Sequence, residues 1–314
     1  MKSIYIAEAM PQAPAMFNFR DIISKSPLRG QFGGNFFNDS AGGGVNDFIG
    51  LKSYQDGDDI TKIDWSATAS DPDNWPQIRI DRPKVAPTIW IAGDLGRHRM
   101  IGEDGVWSKK SLGMLVISSL LISANNERGG MRVGSVFASD REISVTKPSA
   151  VGMRQLSMIS EDIRILAEDL TPTPPIEKQP LLSELIGTVG SLASRSIVCL
   201  VSDFRSQYCW PNSTEDNWQE EVENLANRNN KIIAIEIVSP QDFQMPEYFQ
   251  RIAESPKDRL WTGSQGEKYR KAYKELALKQ EQAIKNTFEN VDAFHLTLRT
   301  DVEDWQNSLQ NQQN

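Results

Sequence analysis

Cysteine is scarce in this chain of 314 residues: Cys199 and Cys209 are the two it has. Their spacing matches no metal-finger or redox pattern, which excludes a disulfide scaffold and suits a reducing compartment. Cys199 lies in the apolar run SIVCLV and reads as a small buried hydrophobe. Histidine is equally scarce, with His98 and His295 alone, and no Ser-His-Asp or Cys-His arrangement can be assembled from them. No run of five like charges occurs, so no tail-type interaction segment is visible. Long hydrophobic runs are missing as well. GMLVISSLLISA is too short and too serine-rich to span a bilayer, and MKSIYIAEAMPQAP has no long apolar core of a signal peptide. GVWSKKS lacks the Gly-x4-Gly-Lys-Ser/Thr spacing of a phosphate-binding loop. A cytoplasmic protein without direct membrane insertion is expected. Basic residues number 34 against 42 acidic ones, a formal charge of −8, which disfavours nucleic acid because counterion release needs clustered cations.

What the chain does have is a change of pattern near residue 88. Residues 1–45 are irregular. GQFGGNFFNDSAGGG carries no period and reads as a loop, with Phe32, Phe36 and Phe37 free to dock on the body of the protein. Residues 49–87 hold short strand-like pieces around a polar centre. QIRIDR alternates, with Ile78 and Ile80 on one face, and Pro76, Pro83 and Pro87 punctuate the segment. From Thr88 onward strands and helices alternate. TIWIAG, MRVGSVFA, REISVT, SIVCLV, KIIAIEIV and FHLTL read as strands.

Between them, SKKSLGMLVISSLLISANNE reads as a helix capped by Ser108 and stopped by Gly129-Gly130. Leu156, Ile159, Ile163, Leu166 and Leu170 mark one face of a second helix. Leu182, Leu185, Ile186, Val189 and Leu192 mark a third, and Trp218, Val222 and Leu225 a fourth. Tyr269, Tyr273, Leu276, Ile284 and Phe288 lie along a long fifth, and VEDWQNSL forms a short last one. LTPTPPIEKQP cannot be regular, because its prolines break any helix or strand. Apolar strands between amphipathic helices imply an α/β fold, a mostly parallel sheet with helices on both faces. The expected division is 1–87, an N-terminal irregular and β-rich elaboration, and 88–314, the α/β domain. Ligands of such sheets bind beyond the carboxyl ends of the strands, where Asp94 and Asp203 fall.

The segment YQDGDDITKIDWSATAS resembles the signature of the bacterial family known as domain of unknown function 58. The matching residues are Tyr54, Gly57, Asp58, Asp59, Ile63, Asp64 and Trp65. IWIAGDLGRH, VCLVSDF, IEIVSPQDFQMPE and HLTLRTDVEDW follow in that family's order, so the likeness covers residues 27–309. Lys52 and Thr61 stand where the family often has arginine, and Ser70 where its small-residue run usually ends in one. The resemblance implies a von Willebrand factor A-like (Rossmann-like) domain. It also implies a protein-binding, non-enzymatic adaptor working with a MoxR-type AAA+ ATPase, and with other von Willebrand A-like proteins, in assembly, activation or metal insertion of clients.

The candidate sites follow from these residues. In von Willebrand A-like domains the first strand ends in Asp-x-Ser-x-Ser, whose oxygens help hold a divalent cation such as Mg²⁺. Here Gly96 and His98 replace the hydroxyls, and Arg97 and Arg99 add positive charge. The site is read as a degenerate one. Asp94 and Asp203 are its remaining ligand positions, or else they pair with Arg97 or accept loop amides. Asp94, Arg97, His98, Pro174 and Asp203 form the expected docking edge. Asp58, Asp59 and Asp64 could hold the metal of a hydrolase, while turn and capping roles, with backbone amides or Arg79 as donors to Asp64, are the structural alternative. A cation-dependent adhesion-like module is a third reading. Trp65 and Trp90 are expected in the core, Trp75 is a candidate exposed anchor for a partner, and His295 is a core residue.

Overall fold

In the computed structural model, the residues described are 17, 47–55, 58–73, 75–82, 88–96, 107–126, 131–148, 153–168, 180–205, 216–243 and 264–307. Two compact units emerge. One lies within residues 32–86; the other takes residues 1–31 together with 87–314.

The smaller unit is built on an antiparallel pair, β1 (Asp47–Ser53) and β2 (Gln77–Arg82), with a bulge between Phe48 and Gly50. The connection between the strands carries a 3-10 turn at Ile60–Lys62 and a short helix, α1 (Trp65–Ser70). Ile78 of β2 is buried, as its alternating pattern implied, and bridges to Ile63.

The larger unit is a six-stranded sheet. Its strands are β3 (Thr88–Asp94), β4 (Arg132–Ala138), β5 (Ile143–Thr146), β6 (Ile197–Ser202), β7 (Lys231–Val238) and β8 (Phe294–Arg299). The order is β5-β4-β3-β6-β7-β8. All neighbours run parallel except β4 and β5, which form a hairpin. The sheet therefore starts at β3 and winds outward in both directions, which leaves a crevice at the carboxyl ends of β3 and β6. This is the von Willebrand factor A-like, Rossmann-like architecture that the sequence implied.

The central strands β6 and β7 are buried at every position, as strands covered on both faces must be. Five helices do the covering: α2 (Lys109–Asn126), α3 (Met153–Glu168), α4 (Leu182–Leu192), α5 (Trp218–Asn227) and α6 (Ser264–Asn290). Trp90 and Ala92 face a core made by α4, α5 and α6, including Leu185, Val189, Val222, Ile284 and Phe288. The opposite face of β3 meets α2. A Cβ placed on Gly93 would lie 2.6 Å from Ile117 Cδ1, so the missing side chain lets helix and strand approach closely. Ser108 Oγ accepts from the Ser111 amide at 3.0 Å, the N-cap expected there.

Helix α2 is buried around most of its circumference, so its serines satisfy one another's turns. Ser118 and Ser123 donate to the carbonyls of Met114 and Ser119. The buried Phe17 donates its backbone N–H to Ser123 Oγ at 3.0 Å. Leu276 departs from its helix face: it is 39% exposed, and Ala277 takes the buried position. Gly129-Gly130, Leu170, the proline-rich stretch through Pro174, and Phe32, Phe36 and Phe37 lie outside the described residues.

Candidate functional site

Two places carry the sequence-predicted residues, one in each unit. At the carboxyl ends of the strands, Asp94 closes β3. It is half-buried, and its Oδ1 lies 3.4 Å from the Gly96 amide. Arg97 and His98 lie outside the described residues, as does Pro174.

Asp203 follows β6 and is buried. The next residue, Phe204, has φ 50, in the left-handed region that bulky residues avoid. Its ring is locked against Trp218 and Phe288, with centroids 5.6 and 4.8 Å away, which holds the turn in that conformation. The turn lets Asp203 Oδ1 accept the Arg205 amide at 3.0 Å, while Oδ2 takes the Lys109 ammonium at 3.1 Å.

Lys109 is the first residue of α2, and a second carboxylate meets it from the turn after β7. Asp242 Oδ1 lies 2.6 Å from Lys109 Nζ, and Asp242 Oδ2 accepts the Ser239 amide at 2.7 Å. The three side chains keep only 7%, 8% and 14% of their surface for Lys109, Asp203 and Asp242. A cation at a helix N-terminus opposes the macrodipole. Two carboxylates offset both that repulsion and the desolvation of the ammonium. Asp203, expected on the docking edge, is buried, with its carboxylate turned to the Lys109 ammonium and the Arg205 amide.

A second buried charge set lies alongside. Glu236, in the middle of β7, receives Arg205 Nη2 at 3.2 Å and Thr297 Oγ1 at 3.4 Å, and His295 Nε2 lies 3.3 Å away. The Arg205 guanidinium sits 4.8 Å over the Phe243 ring. His295, expected as a core residue, is half-buried, with its ring centroid 5.0 Å from that of Phe288. Tyr273 of α6 donates its hydroxyl to the Gln241 carbonyl at 2.9 Å, which ties the long helix to the same turn as Asp242. Burial, reinforced by Asp242, pushes the Tyr273 phenol above its ordinary value. Sequence reasoning missed Lys109, Asp242, Glu236 and Arg205. Two signals were available: a charge inside the apolar run KIIAIEIV, and a lysine pair where a helix begins.

In the smaller unit the signature carboxylates are distributed along the chain by local demand. Asp58 accepts Lys52 Nζ at 2.5 Å and the Gln55 amide at 3.0 Å. The Lys52 bond, then the Gln55 amide, holds its carboxyl below the usual range. Asp59 caps the 3-10 turn, accepting the Thr61 hydroxyl at 2.6 Å and the Thr61 amide at 3.0 Å; these lower its pKa in that order. Asp64 caps α1, with Oδ1 3.1 and 3.0 Å from the amides of Ser66 and Ala67. Backbone amides, the first of the two donors expected for Asp64, are the ones in place.

Lys52 and Thr61, which stand where arginine was expected, are the partners of Asp58 and Asp59. Tyr54 anchors the far side, its amide donating to Pro76 O at 2.8 Å and its carbonyl accepting Trp75 Nε1 at 3.3 Å. Gly57 lies outside the described residues. Trp65, expected in the core, is instead 69% exposed, and Trp75 is 56% exposed.

Among the described residues no three His, Cys, Asp or Glu side chains converge as a metal-holding group. Cys199 is fully buried, which pushes its thiol far above the nucleophilic range. No helix among the described residues is long and apolar enough to cross a membrane.

Comparison with known proteins places the chain. An uncharacterised protein of Mycobacterium tuberculosis is 23% identical over 198 residues, 62% of this chain and 55% of that protein. A protein of Mycobacterium bovis matches to the same extent. The chain thus spans about half the length of the curated relatives it matches. Among solved structures, the conserved hypothetical protein BatB of Bacteroides thetaiotaomicron aligns at 11% identity and a TM-score of 0.39, over 72% of this chain and 97% of that one. An aerotolerance-related membrane protein of Bacteroides fragilis aligns at 10% identity and a TM-score of 0.37, over 72% and 96%. A family model described as protein of unknown function DUF58 matches residues 51–283, from the signature turn through most of α6, and the chain belongs to that family.

Proposed function

We propose that this protein is a non-enzymatic adaptor that binds other proteins, with a MoxR-type AAA+ ATPase as its principal partner. The observation that carries the reading is the exposed surface of the signature unit. Ile60, Trp65 and Trp75 are 65%, 69% and 56% exposed, and Leu51 is 44% exposed. Tryptophan is enriched at binding hot spots, and large apolar side chains left this exposed mark candidate interaction sites. The signature carboxylates support this surface, since Asp59 and Asp64 cap the turn and the helix that display Ile60 and Trp65. The sheet edge at Asp94, in the larger unit, is a separate proposed docking surface; Arg97, His98 and Pro174, assigned to it from the sequence, lie outside the described residues. Charge-assisted hydrogen bonds there would set orientation and encounter rate.

Capture of a purified MoxR-type AAA+ ATPase tests the reading. Trp65→Ala/Trp75→Ala is expected to weaken capture by tenfold or more (roughly 1.4 kcal/mol) while the far-ultraviolet spectrum is unchanged. Asp94→Ala/Arg97→Ala is expected to slow association mainly at low salt. Undiminished capture by both double variants would count against the adaptor surface.

A further inference from the structure

The von Willebrand A-like architecture implies a divalent cation at the top of the sheet, and the residues here do not fit one. Mg²⁺ demands oxygen donors in near-octahedral array at about 2.0–2.1 Å. Between Asp203 and Asp242 the space is taken by an ammonium, 3.1 and 2.6 Å from their Oδ2 and Oδ1. The other oxygen of each carboxylate is engaged by a backbone amide, that of Arg205 or Ser239. At the end of β3, Gly96 brings no side-chain oxygen, and Leu95 is buried apolar surface. A metal ion held by the Asp203 carboxylate would stand beside the Lys109 ammonium, and like-charge repulsion between largely buried groups opposes that.

We infer that Lys109 is a covalently tethered replacement for the cation. Two segments distant in sequence converge on it at the start of α2: the end of β6 and the turn after β7. Its partners lie 94 and 133 residues away along the chain, so no local turn explains the meeting. The ammonium neutralises the strand-end carboxylates as a metal would, and locks the loops after β6 and β7 to the helix. It differs in being a buried donor and not a Lewis acid: its side chain is 7% exposed, so it offers a partner's carboxylate none of the open coordination a metal would, and binding at this edge proceeds without a bridging metal and does not respond to chelators.

Thermal melting of the full chain tests this. Wild type, Lys109→Met and Lys109→Met/Asp242→Asn are each measured with EDTA and with millimolar Mn²⁺. Wild type is expected to ignore Mn²⁺. Lys109→Met, which keeps the aliphatic stem and removes the charge, should melt lower and recover by at least about 3 °C with Mn²⁺. Asp242→Asn should abolish that recovery. A wild-type rise with Mn²⁺ that Asp203→Asn removes would overturn the inference. So would a Lys109→Met protein that melts like wild type or gains nothing from Mn²⁺. If Lys109→Met is recovered unfolded, refolding with Mn²⁺ decides the matter: a chain that folds only with the metal supports the replacement, and one that stays unfolded refutes it.

Discussion

Single residues in this protein are held by what their neighbours leave open. Gly134 of β4 shows this most plainly. A Cβ there would stand 2.7 Å from Trp90 Cε3 and 2.9 Å from Pro148 Cδ, an indole on one side and a proline ring on the other. Neither group can rotate away cheaply, so Gly134→Ala should cost about 1–3 kcal/mol as overpacking, seen as a lower urea midpoint with unchanged slope. Lys231, at the start of β7, makes a pH-dependent case. Burial pushes its ammonium down to about 8 from 10.5, with Asp292 opposing the shift in part. Below the folded value both states hold the proton, and the fold carries the full burial cost. Between about 8 and 10.5 the unfolded chain retains a proton that the folded chain has released, so stability rises with pH in that window. Urea midpoints followed across it should climb in wild type and climb less in Lys231→Met.

At the scale of the element, start signals decide where structure forms. Asp64 gives α1 its only side-chain cap, through the amides of Ser66 and Ala67. Asp64→Ala should destabilise the small unit by about 0.5–2 kcal/mol, and Asp64→Asn should restore most of it, because a neutral amide oxygen still caps. Hydrogen exchange at those two amides would report both outcomes; no acceleration in Asp64→Ala would exclude the capping role. Signals of this kind are what the sequence displays best. The three-and-four spacing of Leu156, Ile159 and Ile163, the Ser108 cap and the unbroken apolar run of β6 all specify structure within one or two turns of chain, and each is found in place. The charge cluster was not readable in the same way. A lysine at a helix start looks like a solvated residue, and Asp242 looks like part of a turn. Only the winding of the sheet about β3 brings them together with Asp203. Asp203 itself was legible as a strand-end carboxylate, yet its partner was not.

For the molecule as a whole, stability rests on the core beneath the strand ends. Phe204, Trp218 and Phe288 come from the turn after β6, from α5 and from α6, with centroids 4.8 to 5.9 Å apart. Phe288 is fully buried, so Phe288→Ala should cost about 3–5 kcal/mol, with fluorescence and circular dichroism losing signal together if the sheet unit unfolds as one. The buried Phe17 has a practical bearing on work with this protein. It groups with the α/β unit although the small unit intervenes in sequence, and its amide reaches Ser123 in the last turn of the most enclosed helix. A fragment cut to begin at residue 87, the natural choice for crystallisation, would carry every strand of the large sheet and still open a hole over α2. A fragment that keeps Phe17 should melt higher than one that begins at residue 87, because part of the cover over the sheet's helix is supplied from far upstream in the chain.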